Sequence, residues 1–295
     1  MTPGIHLVHK PIGPTSHSVV ESLRGEARET KMCHGGALDP FASGLLLILV
    51  EPATKLFRHL HDIPKAYDAT VRWGVETDNG DPTGEPVYVK ESFKLTSPQL
   101  DEELEKRIGW QGQTPPATSN KRLADGERAY VKAHRGEAVE MTPVVVYMHE
   151  ARWLRHDFVS RESKMRIVVR GGYYVRALAR DMGRALGCGA HLTTLHRTAI
   201  GPWNDPGPGA QREVHGRDLI PWLPVRILTD QEVGELRQER DIDAGAVLRP
   251  DWPRPDGFPA SSPDYVRGFH LDRFAFILRH YQSRLFPVTA LPGKM

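Results

Sequence analysis

The stretch CHGGALDPFASGLL, residues 33–46, holds the residue types best suited to chemistry. Its glycines permit a tight backbone, and Pro40 forces Asp39 out of the helical region. Asp39 is therefore expected on a stiff, exposed turn beside the apolar run Leu45–Val50. A rigid carboxylate so placed suits nucleophilic or general-base work. The plainer alternative is that Asp39 only caps its turn. Other chemistries find less support. Asp78 and Asp81 sit among glycines but lack calcium-loop spacing. Cys33 and Cys188 are too few for zinc, and neither a P-loop nor a dinucleotide fingerprint is present. No metal and no cofactor is expected.

Such residues need elements to position them. Ile5–Val8 is short and apolar, and Lys10-Pro11 and Gly13-Pro14 break it. Val19, Val20 and Leu23 recur at helical spacing behind Ser16, which reads as an N-cap. Leu45–Val50 reads as a buried strand and Pro52–His61 as a helix, with Pro52 tolerated in its first turn. From Tyr67 to Val75 apolar residues alternate with polar ones, so a half-buried strand starts at Tyr67. The following TDNGDPTGEP is turn chemistry throughout. A helix is expected from Ser97-Pro98, with Leu100, Leu104 and Ile108 on one face. Residues 112–143 show no clear period and carry Lys121, Arg122, Arg128, Lys132, His134 and Arg135, which marks a functional loop. Strand-like runs lie at Val144–Tyr147 and Met165–Val169, and an amphipathic helix at Val175–Leu186 stops at Gly187. Strands and helices mixed without strict βαβ alternation argue for α+β.

From about residue 222 the texture changes. Thr229 and Glu232 form a capping box. Arg249–Pro263 holds five prolines and reads as loop, and Phe269–Val288 returns to strand-like material. A main domain at 1–221 and a small one at 222–295 follow. The chain has 295 residues, 39% hydrophobic and 26% charged, which excludes wholesale disorder and fibrous repeats. Its longest apolar run, Gly44–Val50, is too short to cross a bilayer, and no secretory signal is visible. Two cysteines suit a reducing compartment. The expectation is a soluble cytoplasmic protein with no membrane association. The net charge of +2 hides an asymmetry: Ala151–Gly201 carries ten Lys/Arg against three acids. That basic stretch fits either a polyanion footprint or a solvated face.

Beyond these readings, the residues resemble a family. HGGALDPFASGLL is similar to the catalytic segment of the bacterial tRNA pseudouridine-55 synthases, the TruB family, with its pattern G-H-x-G-x-L-D-P-x-A-[ST]-G. Lys10-Pro11, Gly13 and Ser16 resemble its opening K-P-x-G-x-[ST]-S. Lys65-Ala66-Tyr67 resembles its K-x-Y segment, and the TDNGDPTG turn its T-x-T-G-D-x-x-G. Gln113, Pro115, Pro116 and Ser119–Lys121 resemble the start of its RNA-gripping insertion, here about 113–143. Tyr174-Val175-Arg176 with Asp181 and Gly183, then LGCGAHLTTLHRTAIG, resembles its Y-[IV]-R helix and L-x-R segment. Ordered matches span residues 4 to about 203.

The resemblance implies the pseudouridine synthase fold: a mixed, largely antiparallel, bent central sheet flanked by helices, plus a small, mostly-β, PUA-like C-terminal domain. It implies isomerisation of a uridine in the TΨC arm of tRNA, at position 55, without cofactor or obligatory protein partner. Asp39 would be the nucleophile and Tyr67 would stack on the flipped-out base. Arg176 would pair with the Asp39 carboxylate, and Tyr174 would lie against the uracil or help to deprotonate C5. His34 would contact the extruded nucleotide, with Lys10, Lys65, Lys121, Arg122 and Leu195 also on the substrate. Asp81 and Arg197 would steady the site from behind. The chemistry is consistent. A carboxylate can act on a sugar by attack, proton abstraction or charge stabilisation, as in glycosidases. An extruded base needs an aromatic face to replace its lost stacking. Two segments depart from the pattern: Arg170-Gly171-Gly172-Tyr173 stands where the family has Ser-Lys-Gly-Thr, and Ala117-Thr118 replaces bulkier residues. Competing functions are a tRNA-binding or remodelling protein with secondary catalysis, a guide-RNA-dependent synthase, and an Asp-dependent metal hydrolase.

Overall fold

The computed structural model describes residues 1–26, 31–259 and 264–291. The proline-rich loop is thus described to residue 259, and residues 260–263 and 292–295 of the small domain lie outside the described residues. The order begins β1 (Gly4–Lys10), α1 (Ser16–Glu26), β2 (Met32–His34) and β3 (Ser43–Val50), then a 3-10 helix at Ala53–Leu60. Next come β4 (Lys65–Trp73), β5 (Val75–Thr77), β6 (Pro86–Val89), α2 (Ser97–Glu105) and β7 (Gly109–Gln113). Then follow α3 (Ala129–His134), β8 (Val144–Asp157), β9 (Glu162–Val169), α4 (Val175–Ala185) and β10 (Ala190–Ile200). After β11 (Trp203–Asn204) and β12 (Gln211–Val214) come β13 (Val225–Ile227), α5 (Asp230–Arg237) and β14 (Ile242–Asp243). The last strands are β15 (Tyr265–His270), β16 (Arg273–Tyr281) and β17 (Arg284–Ala290). The fold is mixed α+β with mostly antiparallel strands, as the sequence suggests.

The chain forms two compact units. One comprises Met1–Pro40, Gly44–Ile63 and Ala199–Met295; the other comprises Phe41–Ser43 and Pro64–Thr198. In the first, β3 is flanked by β1 and β2, and β1 pairs in turn with β12, all antiparallel. β3 is buried on both faces, which is why it reads as an unbroken apolar run. Leu45, Leu47 and Leu49 share a core with Ile5, Leu7, Leu56, Leu60 and the aromatics Trp203, Trp222, Phe269 and Phe274. Leu46, Ile48 and Val50 meet Val20 of α1 and Met32. The same unit carries the sheet β13-β15-β16-β17-β14, in which only β13 and β15 run parallel. It has a core of its own around Val233, Leu236, Val266, Phe276, Leu278 and Leu285.

In the second unit the strand order is β10-β4-β9-β8-β7. Tyr67, Ala69, Val71 and Trp73 of β4 and Met165, Ile167 and Val169 of β9 turn to the buried side, as period-two alternation requires. α4 buries Ala177, Leu178 and Met182. Its Gly183 cannot carry a side chain, because a Cβ there would stand 2.2 Å from the Ala190 nitrogen. Helix and strand therefore meet backbone to backbone at this point.

Four local expectations need correction. Ser97–Glu105 is the whole of α2, and Ile108 lies past its end, 45% exposed. The helix after Pro52 is a 3-10 helix. The 112–143 segment is not structureless: it contains α3 and an antiparallel bridge between Arg122 and Arg128. Ser16 begins α1 but does not cap it; the Thr15 hydroxyl accepts from the Ser18 N–H instead. Among the described residues no helix is long and apolar enough to span a membrane, and no cluster of His, Cys, Asp and Glu could hold a metal ion.

One buried histidine makes the first unit sensitive to acid. His59 of the 3-10 helix is 4% exposed and meets the Tyr265 ring edge-on at 4.8 Å. Burial, aided by Arg58, lowers its imidazole to about 4. The unfolded chain protonates this group near 6.5, so its contribution is complete above that pH and is lost as pH falls towards 4. The loss amounts to about 3 kcal/mol. Urea unfolding of wild type and His59→Phe at pH 7.5 and 4.5 checks this: the variant is expected to lose about 3 kcal/mol less between the two.

Candidate active site

The opening segment explains how the Asp39 bend is held. The Ser16 hydroxyl donates to the Leu38 carbonyl at 3.1 Å and accepts from the Leu38 N–H at 2.8 Å. The Gly13 N–H donates to the Pro40 carbonyl at 2.8 Å. Lys10, fully buried at the end of β1, directs its ammonium to the Pro11 carbonyl at 2.8 Å and the Pro40 carbonyl at 3.4 Å. The residues on both sides of Asp39 are thus pinned, while Asp39 itself is only half-buried. Pinning of this kind is the preorganisation that a reacting carboxylate would need. His34 lies in the same unit, half-buried at the end of β2 opposite Ile48.

The second unit holds a buried cation. Arg176, 5% exposed, is in the first turn of α4. Its Nη1 donates to the Asn79 carbonyl and to the Thr118 hydroxyl, both at 2.9 Å, and stands 3.6 Å from the Asp81 carboxylate. Asp81 organises the turn that delivers Asn79. Its Oδ1 accepts from the Thr83 N–H at 2.9 Å and from the Asn79 amide at 3.0 Å, and its own N–H donates to Asn79 Oδ1 at 2.8 Å. Gly80 takes φ +76°, which a glycine adopts without strain, and its bare Cα lets the turn approach Arg176. Tyr174 precedes α4 and is clamped through its main chain. Its N–H donates to Gln113 Oε1 at 3.0 Å, and its carbonyl accepts from Gln113 Nε2 at 3.3 Å. Burial raises the Tyr174 phenol, with Arg176 opposing in part, so the ring keeps its proton at neutral pH.

Tyr67 and Lys65, both buried, lie on β4 opposite Ile167 and Val169 of β9. Leu195 and Arg197, at 6% and 1% exposure, are on β10. Lys121 and Arg122 line a separate groove of about 440 Å³ formed by the insertion itself, with Leu123, Asp125, Lys132 and Met141. Of the expected residues, then, Lys10 meets the Asp39 bend, Arg176 and Asp81 meet each other, and Lys121 and Arg122 stand on another surface.

A family model described as the TruB family pseudouridylate synthase N-terminal domain matches residues 24–175, over half of the chain. The chain belongs to the TruB family. A second model, the tRNA pseudouridylate synthase B C-terminal domain, matches residues 176–209 of the synthase. A protein of Solibacter usitatus named tRNA pseudouridine synthase B is 40% identical over 257 residues, covering 82% of this chain and 86% of its own. One from Thermotoga maritima with the same name is 35% identical over 243 residues, covering 79% and 77%. Among solved structures, a Cbf5–Nop10–Gar1 complex gives a TM-score of 0.70 at 20% identity, over 100% of this chain and 85% of that one. A structure of an H/ACA RNP bound to a substrate RNA gives 0.66 at 19%, over 99% and 85%. At that identity the likeness speaks for the fold alone, which is that of pseudouridine synthases.

Sequence reasoning missed Asn79, Thr118 and the true role of Ser16. Asn79 was hidden in a segment whose composition reads only as a turn. Ser16 was visible but ambiguous, since a hydroxyl at a helix start can cap the helix or bond elsewhere. Ser16→Ala is expected to cost about 1–3 kcal/mol, because the buried Leu38 N–H loses its acceptor. Denaturant melts measure that loss. Turnover should fall with it while substrate affinity holds; unchanged stability and turnover would show that the hydroxyl is not the clamp.

Proposed function

We propose that the synthase converts uridine to pseudouridine in the TΨC arm of tRNA, at position 55, with Asp39 as the reacting carboxylate and no cofactor. The observation that carries this reading is the three-sided pinning of Leu38 and Pro40 around Asp39. The names of the relatives support tRNA as the substrate class. Catalysis lies in residues 1–221, the insertion at about 113–143 grips the RNA, and the domain at 222–295 serves as an accessory. The enzyme works in the cytoplasm and without a protein partner.

The reaction breaks the bond from C1′ to N1, turns the uracil and joins C1′ to C5, which then gives up its proton while N1 gains one. Atoms and electrons balance with no oxidant and no water consumed. Asp39 attacks or steadies the sugar as the bond to N1 breaks, the task of a glycosidase carboxylate. Arg176 keeps that carboxylate ionised, since a guanidinium never loses its charge and pairs with carboxylates in a fixed plane. Tyr67 supplies the stacking face for the extruded base, worth about 1–3 kcal/mol. Tyr174 lies against the uracil or helps to deprotonate C5, and the burial that raises its phenol favours the first of these roles. His34, Lys10, Lys65, Lys121, Arg122, Leu195, Asp81 and Arg197 hold the substrate or its surroundings.

The deciding experiment is tritium release from C5-labelled tRNA by the purified chain, with pseudouridine mapped in the product. Wild type is expected to release label and form pseudouridine at position 55. Asp39→Asn is expected to lose about 10⁴-fold in turnover, the scale for removing a catalytic carboxylate, with affinity for tRNA nearly unchanged. An Asn variant that still turns over would remove Asp39 from this role. Binding without release by wild type would favour an RNA-binding protein instead.

A further inference from the structure

The insertion and the catalytic arginine are mechanically joined. Two arginines one turn apart on α4, Arg176 and Arg180, reach the same short stretch at the root of the insertion. Arg180 donates to the Thr114 carbonyl at 2.8 Å, and Arg176 to the Thr118 hydroxyl at 2.9 Å. Between those points the backbone turns back on itself, with the Ser119 N–H donating to the Pro116 carbonyl at 2.9 Å. The Ser119 carbonyl then accepts from the Tyr130 N–H at 3.1 Å, which ties the turn to α3. Thr118 is therefore a point where the architecture of the insertion touches the Arg176 guanidinium.

The geometry at Arg176 gives this contact leverage. Nη1 has two hydrogens, and it bonds both the Asn79 carbonyl and the Thr118 hydroxyl. A guanidinium is rigid and planar, so two bonds from one nitrogen set the plane of the whole group. Rotation of that plane moves every other donor of the side chain. One anchor, Asn79, belongs to the fixed Asp81 turn; the other belongs to the insertion. A hydroxyl is also the right chemistry for an adjustable anchor, since it can turn to accept without adding charge beside the arginine.

We propose that Thr118 is a positioning residue, through which the seating of the insertion on RNA sets the orientation of Arg176 for catalysis. This rests on the reading of Arg176 as partner of the reacting carboxylate. It assigns work to one of the two segments that depart from the family pattern: here a small hydroxyl residue stands where bulkier ones are usual.

The test compares Thr118→Val and Thr118→Ser in single-turnover tritium release, with tRNA affinity measured by filter binding. Valine keeps the shape and removes the hydroxyl. It is expected to slow the single-turnover rate about 5–10-fold while leaving Kd within about twofold, and serine is expected to restore the rate to within about twofold of wild type. A Val variant with the wild-type rate overturns the proposal. So does a slow Val variant that serine fails to rescue, or one whose loss is confined to affinity, since either reports packing rather than orientation. Circular dichroism and thermal melting of both variants show that the fold is intact. Failure here leaves the Asp39 reading standing, because that reading is decided separately by Asp39→Asn.

Discussion

The reciprocal bond between Ser16 and Leu38 is the constraint on which the bend carrying Asp39 depends. One hydroxyl satisfies both polar groups of a buried residue immediately before Asp39. The tie links the start of α1 to a bend 22 residues later, so neither segment can move alone. Lys10 and Gly13 add ties on the far side, at Pro40. The residues of the opening segment therefore need not approach a substrate to matter. Their partners in the bend are its own carbonyls and one backbone N–H.

The second unit solves a different problem, the control of a large cation. A buried arginine must have its donors satisfied, because unpaired buried polar groups are costly. The Asp81 turn and the insertion root help to meet that demand with two neutral acceptors, the Asn79 carbonyl and the Thr118 hydroxyl, and the Asp81 carboxylate stands 3.6 Å away. Two bonds to neutral oxygens steady the guanidinium without adding charge beside it. The same logic places Gln113, whose amide uses one donor and one acceptor to fix the main chain of Tyr174.

Much of this was legible in the residues, for reasons that can be named. Leu45–Val50 gave away a strand covered on both faces because every position is apolar. The bend at Asp39 was legible because Gly35, Gly36 and Pro40 lie close together in the chain and constrain the backbone locally. The capping box of Thr229 and Glu232 was equally local, and it forms as expected. What escaped reading was non-local. Thr118 and Arg176 are 58 residues apart, and nothing in the composition of either segment announces the other. Ile108 was misplaced because helical spacing continues past the point where Lys106 ends the helix. Tertiary partners, not propensity, decided each of these cases.

The first compact unit is made from three separated stretches of chain, and this has a consequence for how the molecule is born. Pro64–Thr198, nearly all of the second unit, leaves the ribosome as one continuous piece and can close on itself. β1 cannot gain its outer neighbour until residues 211–214 emerge, and the core around Leu45–Leu49 lacks Phe269 and Phe274 until synthesis is almost complete. The N-terminal strands, with the bend that carries Asp39 among them, must therefore wait with greasy surface uncovered while some two hundred residues are added. Long-range pairing of this kind is slow and prone to association with other nascent chains. A premature stop in the last third of the message would not merely trim an appendage: it would deny the amino-terminal half its lining.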